Sequence, residues 1–262
     1  MLRAPLDPAL RGCVTSVWTG ECTARRREHV VAGGEVHVAI RLDGPALRLF
    51  YGRDDRRGRV IDTAVVAGAR SGWYARRAEP GRSVGAQLAP GGTRALFGIP
   101  AAAIGERHLP LRVFWGDGVD ALRRALAAAA TAAARLDLFE HALRARLQWT
   151  RAMHPQVAGA MAALEAGARV GDVLADAGCS HRHLVALFNA EVGLGRKRWA
   201  RRRRFQRVLD GIDRSVDWSA LALRHGYCDQ AHLISDFRTF AGVSPRDYLA
   251  ARVQARHVAV GR

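Results

Sequence analysis

Apolar and polar positions change rhythm twice along the 262-residue chain. From about residue 12 to 115 the apolar residues alternate over short runs. Examples are Val36, Val38 and Ile40, then Leu47, Leu49 and Tyr51, then Val84, Ala86 and Leu88, with Val60 and 63–66 as further short segments. Gly44-Pro45 and Pro90-Gly91-Gly92 punctuate them. Such spacing predicts strands joined by tight turns, as a small β-barrel or sandwich. Between 117 and 148 the period lengthens. Asp117 or Gly118 opens a helix carrying Val119, Leu122 and Leu126, and Leu136, Phe139, Leu143 and Leu147 form the apolar stripe of a second. That stripe suits packing against its own strands or a homodimer partner, and the two are compatible. The segment from Gln148 to Pro155 reads as a linker.

Beyond the linker the pattern is helical throughout. Val157, Met161 and Leu164 mark a first helix, stopped at Gly167. Val170, Val173 and Leu174 mark a second, ending at Gly178. Ser180 is a good N-cap for a third with Leu184, Leu187 and Phe188 inward. A long fourth carries Phe205, Val208, Leu209 and Ile212, and a fifth carries Trp218, Leu221 and Ala222 and closes at Gly226. Asp229 caps a sixth, whose Leu233, Phe237 and Phe240 recur at helical spacing, and Ser244-Pro245 opens a seventh with Tyr248 and Leu249.

This part repeats internally. Asp172 to Ser180 parallels Trp218 to Asp229, each a short helix, a glycine turn and a capped second helix, which is the helix-turn-helix plan. Two such units would set their second helices in successive major-groove faces, ~34 Å apart. The fold class expected is α+β: an N-terminal β-barrel or sandwich with a helical pair (residues 1–148), then an all-α double helix-turn-helix domain (153–262).

Charge strengthens the case for a nucleic-acid partner. Lys and Arg number 41 against 24 acidic residues, a net +17, and such a balance favours anionic partners. The densest run, Arg196 to Arg207, contains no acid. Because like charges at i, i+4 repel, an unrelieved run is more readily explained by nearby phosphate. Arg196, Lys197, Arg201 and Arg202 are therefore candidate phosphate contacts. Cys13, Cys22, Cys179 and Cys228 lack CxxC spacing and read as reduced thiols of a cytoplasmic protein. Met1 to Asp7 has no apolar signal core, and the longest uncharged apolar run is too short to span a bilayer, so no membrane role is expected.

The segment Gly226-Tyr227-Cys228-Asp229-Gln230-Ala231-His232, followed by Phe237, Gly242, Ser244-Pro245 and Tyr248, resembles the signature of the AraC/XylS family of bacterial transcription regulators. The likeness covers about residues 153–252. It implies base contacts from Gln230, Ala231 and Ser235, and from Arg182, Val185 and Ala186 at matching positions of the first unit. It also implies a phosphate contact at His232. Gln230 suits adenine and Arg182 guanine. Two places depart from the family: Leu194-Gly195-Arg196 replaces the usual Ser or Thr then Pro, and Arg203 stands where an apolar residue is usual. The N-terminal part resembles, more loosely, family sensor regions that bind a small effector, with Trp18, His37, Trp73 and Tyr74 as pocket or core residues. The function expected is a sequence-specific activator that partners double-stranded DNA and RNA polymerase, with a small effector and a homodimer as further partners and no cofactor. The alternative is a metal-dependent cupin-type enzyme fused to a DNA-binding domain. It needs a His-x-His pair with downstream Glu and His, whereas His29 and His37 stand eight apart with no such cluster following. No catalytic residues and no metal ligands are expected.

Overall fold

The computed structural model describes residues 1–51, 54–148, 153–168, 171–175, 179–212, 216–254 and 257–260. Its first sheet is antiparallel and holds β1 (Leu2–Arg3), β2 (Val14–Cys22), β4 (His37–Arg41), β7 (Ala64–Ala67), β9 (Gly81–Leu88) and β10 (His108–Pro110), in the order β1-β2-β9-β4-β7-β10. The second holds β3 (Arg26–Val30), β5 (Arg48–Phe50), β6 (Arg59–Val60) and β8 (Tyr74–Ala78). Two C-terminal strands complete it, β11 (Arg252–Gln254) and β12 (His257–Val260), in the order β11-β12-β3-β8-β5-β6.

Of the two architectures expected, barrel or sandwich, the strands form two open sheets and no closed barrel: among the described residues no ladder joins one sheet to the other. The C-terminal part, by contrast, is not all-α as expected. Its last strand pairs with β3, Val258 opposite His29 and Val260 opposite Arg27. Val258 is fully buried, which is why the chain returns to the sheet.

Helices α1 (Gly92–Phe97), α2 (Arg112–Trp115), α3 (Gly118–Ala128) and α4 (Ala132–Arg144) follow β9, with β10 between the first two. Helix α4 packs on β2 and β9, and Leu136, Phe139 and Leu143 are fully buried within the chain. The stripe is thus core, and its use as a homodimer face is corrected. Even its polar neighbours are held internally. Arg135 donates to Leu126 O and Ala129 O, at 3.1 and 3.2 Å, and Glu140 accepts Leu6 N at 2.8 Å.

The C-terminal helices are α5 (Pro155–Glu165), α6 (Asp172–Ala175), α7 (His181–Val192), α8 (Arg196–Asp210), α9 (Trp218–Arg224), α10 (Gln230–Phe240) and α11 (Pro245–Ala251). Val157, Leu184, Phe188 and Trp199 belong to the same apolar core as Val38, Leu96 and Phe139. Val31 and Ala32 in turn join the core of Phe205, Phe237 and Tyr248. The two parts of the chain therefore share both cores.

The space between the sheets is polar. Tyr74 meets His108 edge-on, ring centroids 4.7 Å apart, and Glu28 accepts Arg26 Nε at 2.8 Å and Arg76 Nη2 at 3.1 Å. Burial, aided by Arg70 and His37, pushes His108 down to about 3. An unfolded histidine takes its proton near pH 6.5. As pH falls below that value the unfolded chain gains a proton that the fold refuses. The contribution is therefore complete above pH ~6.5 and is lost progressively toward pH 3. At pH 5 the loss is about 2 kcal/mol, before the carboxylates titrate. Denaturant midpoints at pH 7 and pH 5 check this: His108→Phe should flatten the decline, and an equal decline in the variant would locate the acid sensitivity elsewhere.

Candidate nucleic-acid interface

The second helix-turn-helix unit is built by side-chain caps. Asp217 accepts Ser219 N and Ala220 N at the start of α9, and Asp229 accepts His232 N at 2.7 Å at the start of α10. Each satisfies backbone donors that the first turn leaves open. On α10, Leu233, Phe237 and Phe240 are buried. Phe237 meets Phe205, Trp218 and Tyr248, ring centroids 4.9, 5.8 and 5.6 Å away. That packing turns Gln230, Ala231 and Ser235 out to solvent. Gln230 Oε1 accepts the Ser219 hydroxyl at 3.2 Å. His232 is half-buried, its Nε2 3.3 Å from Arg204 Nη2 and its ring edge-on to Tyr227.

One group on α10 escaped the sequence reading. Asp236 is fully buried. It accepts the Tyr227 hydroxyl at 2.8 Å and Arg201 Nε at 2.7 Å, with Arg204 Nη2 at 3.7 Å. Burial, and then the carboxylate itself, push the Tyr227 phenol well above its usual range, so it stays a donor. The network ties α10 to α8 and fixes the tilt of the exposed face. The signal was available: Asp236 lies three residues after Leu233 and one before Phe237, and an acid within an apolar stripe needs cationic partners.

The first unit is plainer. Ser180 Oγ accepts His183 N at 3.3 Å, and Leu184, Phe188 and Val192 face inward. Arg182 and Ala186 are exposed and Val185 is half-buried. His181 Nε2 lies 3.3 Å from Arg196 Nη2. The turn at Asp176 to Gly178 and the expected helix residue Val170 lie outside the described residues.

The basic run divides by helix face. Lys197 and Arg198 are exposed, whereas Arg201 is exposed but bound to Asp236. Arg203, the departure from family pattern, pairs with Glu165 at 2.8 Å. Arg196 and Arg202 are buried, at 7% and 1% exposure, and burial pushes the Arg196 pKa down. Arg202 donates from Nε to Ala32 O at 3.1 Å, from Nη1 to Glu35 at 3.1 Å and from Nη2 to Gln206 at 3.3 Å. The expected phosphate roles of Arg196 and Arg202 do not fit this placement. The reason is periodicity: Arg196, Trp199, Arg202 and Phe205 follow at three-residue steps along the buried side of α8. Gly34 makes room for Arg202. Its φ is +71°, and a Cβ there would overlap Arg202 Cδ.

Residues 173–251 match the family model described as a helix-turn-helix domain. The chain carries an AraC-type helix-turn-helix domain. It is a DNA-binding transcription regulator. Ahead of the AraC-type domain, residues 3–110 match a domain of unknown function, DUF6597. No curated protein matches the chain. Among solved structures, a transcriptional regulator with an AraC-type DNA-binding domain from Chromobacterium violaceum is 24% identical. The match covers 38% of this chain and 94% of that one, with a TM-score of 0.35. ToxT from Vibrio cholerae is 9% identical over 89% of this chain and 97% of its own, with a TM-score of 0.48. Wild-type ToxT with an unsaturated fatty acid bound is 10% identical over 89% and 93%, with a TM-score of 0.46.

Among the described residues no group of three or more His, Cys, Asp or Glu side chains gathers as a metal site would require. No helix there is long and apolar enough to cross a membrane.

Proposed function

We propose that the protein is a cytoplasmic transcription activator that reads a two-part operator with α7 and α10. Residues 153–262 carry the reading and residues 1–148 sense a small effector. The observation that carries this is the pair of side-chain-capped helices, each exposing a different set of residues at its start. Gln230, Ala231 and Ser235 meet base edges in one groove face, and Arg182, Val185 and Ala186 meet them in the next. Lys197 and the outer edges of Arg201 and His232 meet phosphate. Activation through RNA polymerase is what the likeness of the C-terminal motif implies. The polar interior between the sheets supports the effector role: His108 Nδ1 is buried with no hydrogen-bond partner among the described residues, and Tyr74 and Glu28 face the same space.

Selection of bound DNA from a random pool, followed by titration of the preferred site, tests the reading. Gln230→Ala and Arg182→Ala should each cost ~1–3 kcal/mol and relax preference at base positions about one helical turn apart. Unchanged preference in both variants would remove the assignment of α7 and α10 as reading helices. Unchanged preference in Arg182→Ala alone would leave α7 a structural support.

A further inference from the structure

Strands β3 and β8 are neighbours, and Arg27 stands directly opposite Arg77. Because side chains alternate along a strand, both lie on the face turned away from Tyr74 and Glu28, outside the space between the sheets. Phe50 of β5 lies on the same face, its ring centroid 4.2 Å from the Arg27 guanidinium and 6.0 Å from that of Arg77. Like charges directly across a ladder are unfavourable unless a counter-charge is supplied. Arg25 and Arg56 add cations from the flanking segments. With His29 these groups wall an open cleft of about 1100 Å³. The opposite wall is the Gly242-Val243 turn, just after α10, together with Val260 of β12.

The nearby carboxylates are occupied. Glu79 accepts Arg25 at 2.6 Å. Asp55 accepts the backbone N–H groups of Tyr51, Arg57 and Gly58 at 2.9, 3.2 and 2.8 Å. Those bonds, that of Gly58 foremost, hold its carboxyl below the usual range, as does the charge of neighbouring Arg27, whose Nη1 donates to Asp55 O at 3.0 Å. Glu28 is on the other face. Among the described residues, Arg56 and Arg77 have no ion-pair partner. A solvated cationic face usually mixes signs and is convex, and this one is concave and of one sign. Guanidinium forks match phosphate in paired hydrogen bonds.

We propose that this cleft binds a compact, phosphate-bearing polyanion, held between the outer face of the second sheet and the turn that follows α10. The DNA backbone is the less suitable occupant. Of the exposed α10 residues assigned to base edges, Gln230 and Ala231 lie 12 and 11 residues before Gly242 and Ser235 lies seven before it, about 10 to 18 Å along the helix. The turn is also tightly seated. Gly242 has φ +74°, and a Cβ there would lie 2.6 Å from His29 Nδ1 and from the Trp73 ring. An anion drawing on this wall therefore bears on the seating of α10. That last link rests on the DNA-reading assignment, whereas the site itself does not.

The test uses the full-length chain and tripolyphosphate, titrated calorimetrically at ionic strength held constant with sodium chloride. Saturable binding is expected, with no comparable signal from sulfate. Arg77→Gln and, separately, the loop variant Arg56→Gln should each weaken it about tenfold, the loss of one charge-assisted hydrogen bond pair. Neither should lower the melting temperature, and both should bind the operator within about twofold of wild type. Absence of saturable binding, equal binding by sulfate, or undiminished binding in both variants would overturn the proposal. So would a loss of operator affinity in step with the loss of tripolyphosphate affinity, which would make the cleft part of the DNA track.

Discussion

Arg202→Ala should lower the unfolding free energy by roughly 3–5 kcal/mol, the usual cost of removing one member of a buried ion pair. For a chain of this size that is about 10 °C of melting temperature. Three acceptors lose their donor at once: Ala32 O, the Glu35 carboxylate and Gln206 Oε1. Gly34 would then face a void where the guanidinium stem had packed. Arg202→Lys should fall between, because an ammonium keeps the charge but cannot reach three acceptors in one plane. Neighbouring Lys197 is the internal control, since Lys197→Ala should leave the melting temperature unchanged within about 1 °C, as exposed substitutions do. A phosphate contact at position 202 would give the opposite pattern, with unaltered melting and weaker DNA binding at all sequences. Thermal melts of the three variants beside operator titrations distinguish the two.

Arg202 also shows where sequence reasoning fell short. Its three-residue step from Trp199 and to Phe205 marks the buried side of α8, yet the density of charge around it pointed to solvent and phosphate. Periodicity outranked composition there, as it did for Asp236. The caps, by contrast, were legible. Ser180, Asp229 and Ser244 each accept a backbone N–H from three residues on, and a cap is a local event that needs nothing from elsewhere in the fold.

The second sheet was much less legible. Arg26–Val30 and Tyr74–Ala78 carry arginines on both faces, so no apolar alternation announces a strand. One face turns to the polar space between the sheets and the other to the cationic cleft, and neither requires an apolar row. Strand β12 was missed for a different reason. Its partner β3 lies more than 220 residues earlier, and a pairing at that distance leaves no local trace beyond the alternation of Val258 and Val260. The shared cores follow from the same contacts, so the division at 148–153 marks a change of sequence pattern without a break in packing.

Phe139→Ala should cost about 3–5 kcal/mol, the range for emptying a fully buried aromatic site. Phe139 is 0% exposed, as are Leu136 and Leu143 on the same face of α4. The helix cannot easily collapse onto the cavity, because its polar residues are tied at both ends. Arg135 is bound to the end of α3 and the turn after it, and Glu140 to the backbone of Leu6 and Asp7. A rigid wall leaves the void open, so the cost should lie in the upper part of the range. Phe139→Leu, which retains much of the volume, should lose less than half as much, and Phe139→Asp should prevent folding of the N-terminal sheets. Chemical denaturation and analytical ultracentrifugation of the same samples separate this from a homodimer role. If the stripe is core, stability falls while the mass of the folded species stays that of wild type. A variant that melts with wild type but sediments at half its mass would restore the stripe to the surface.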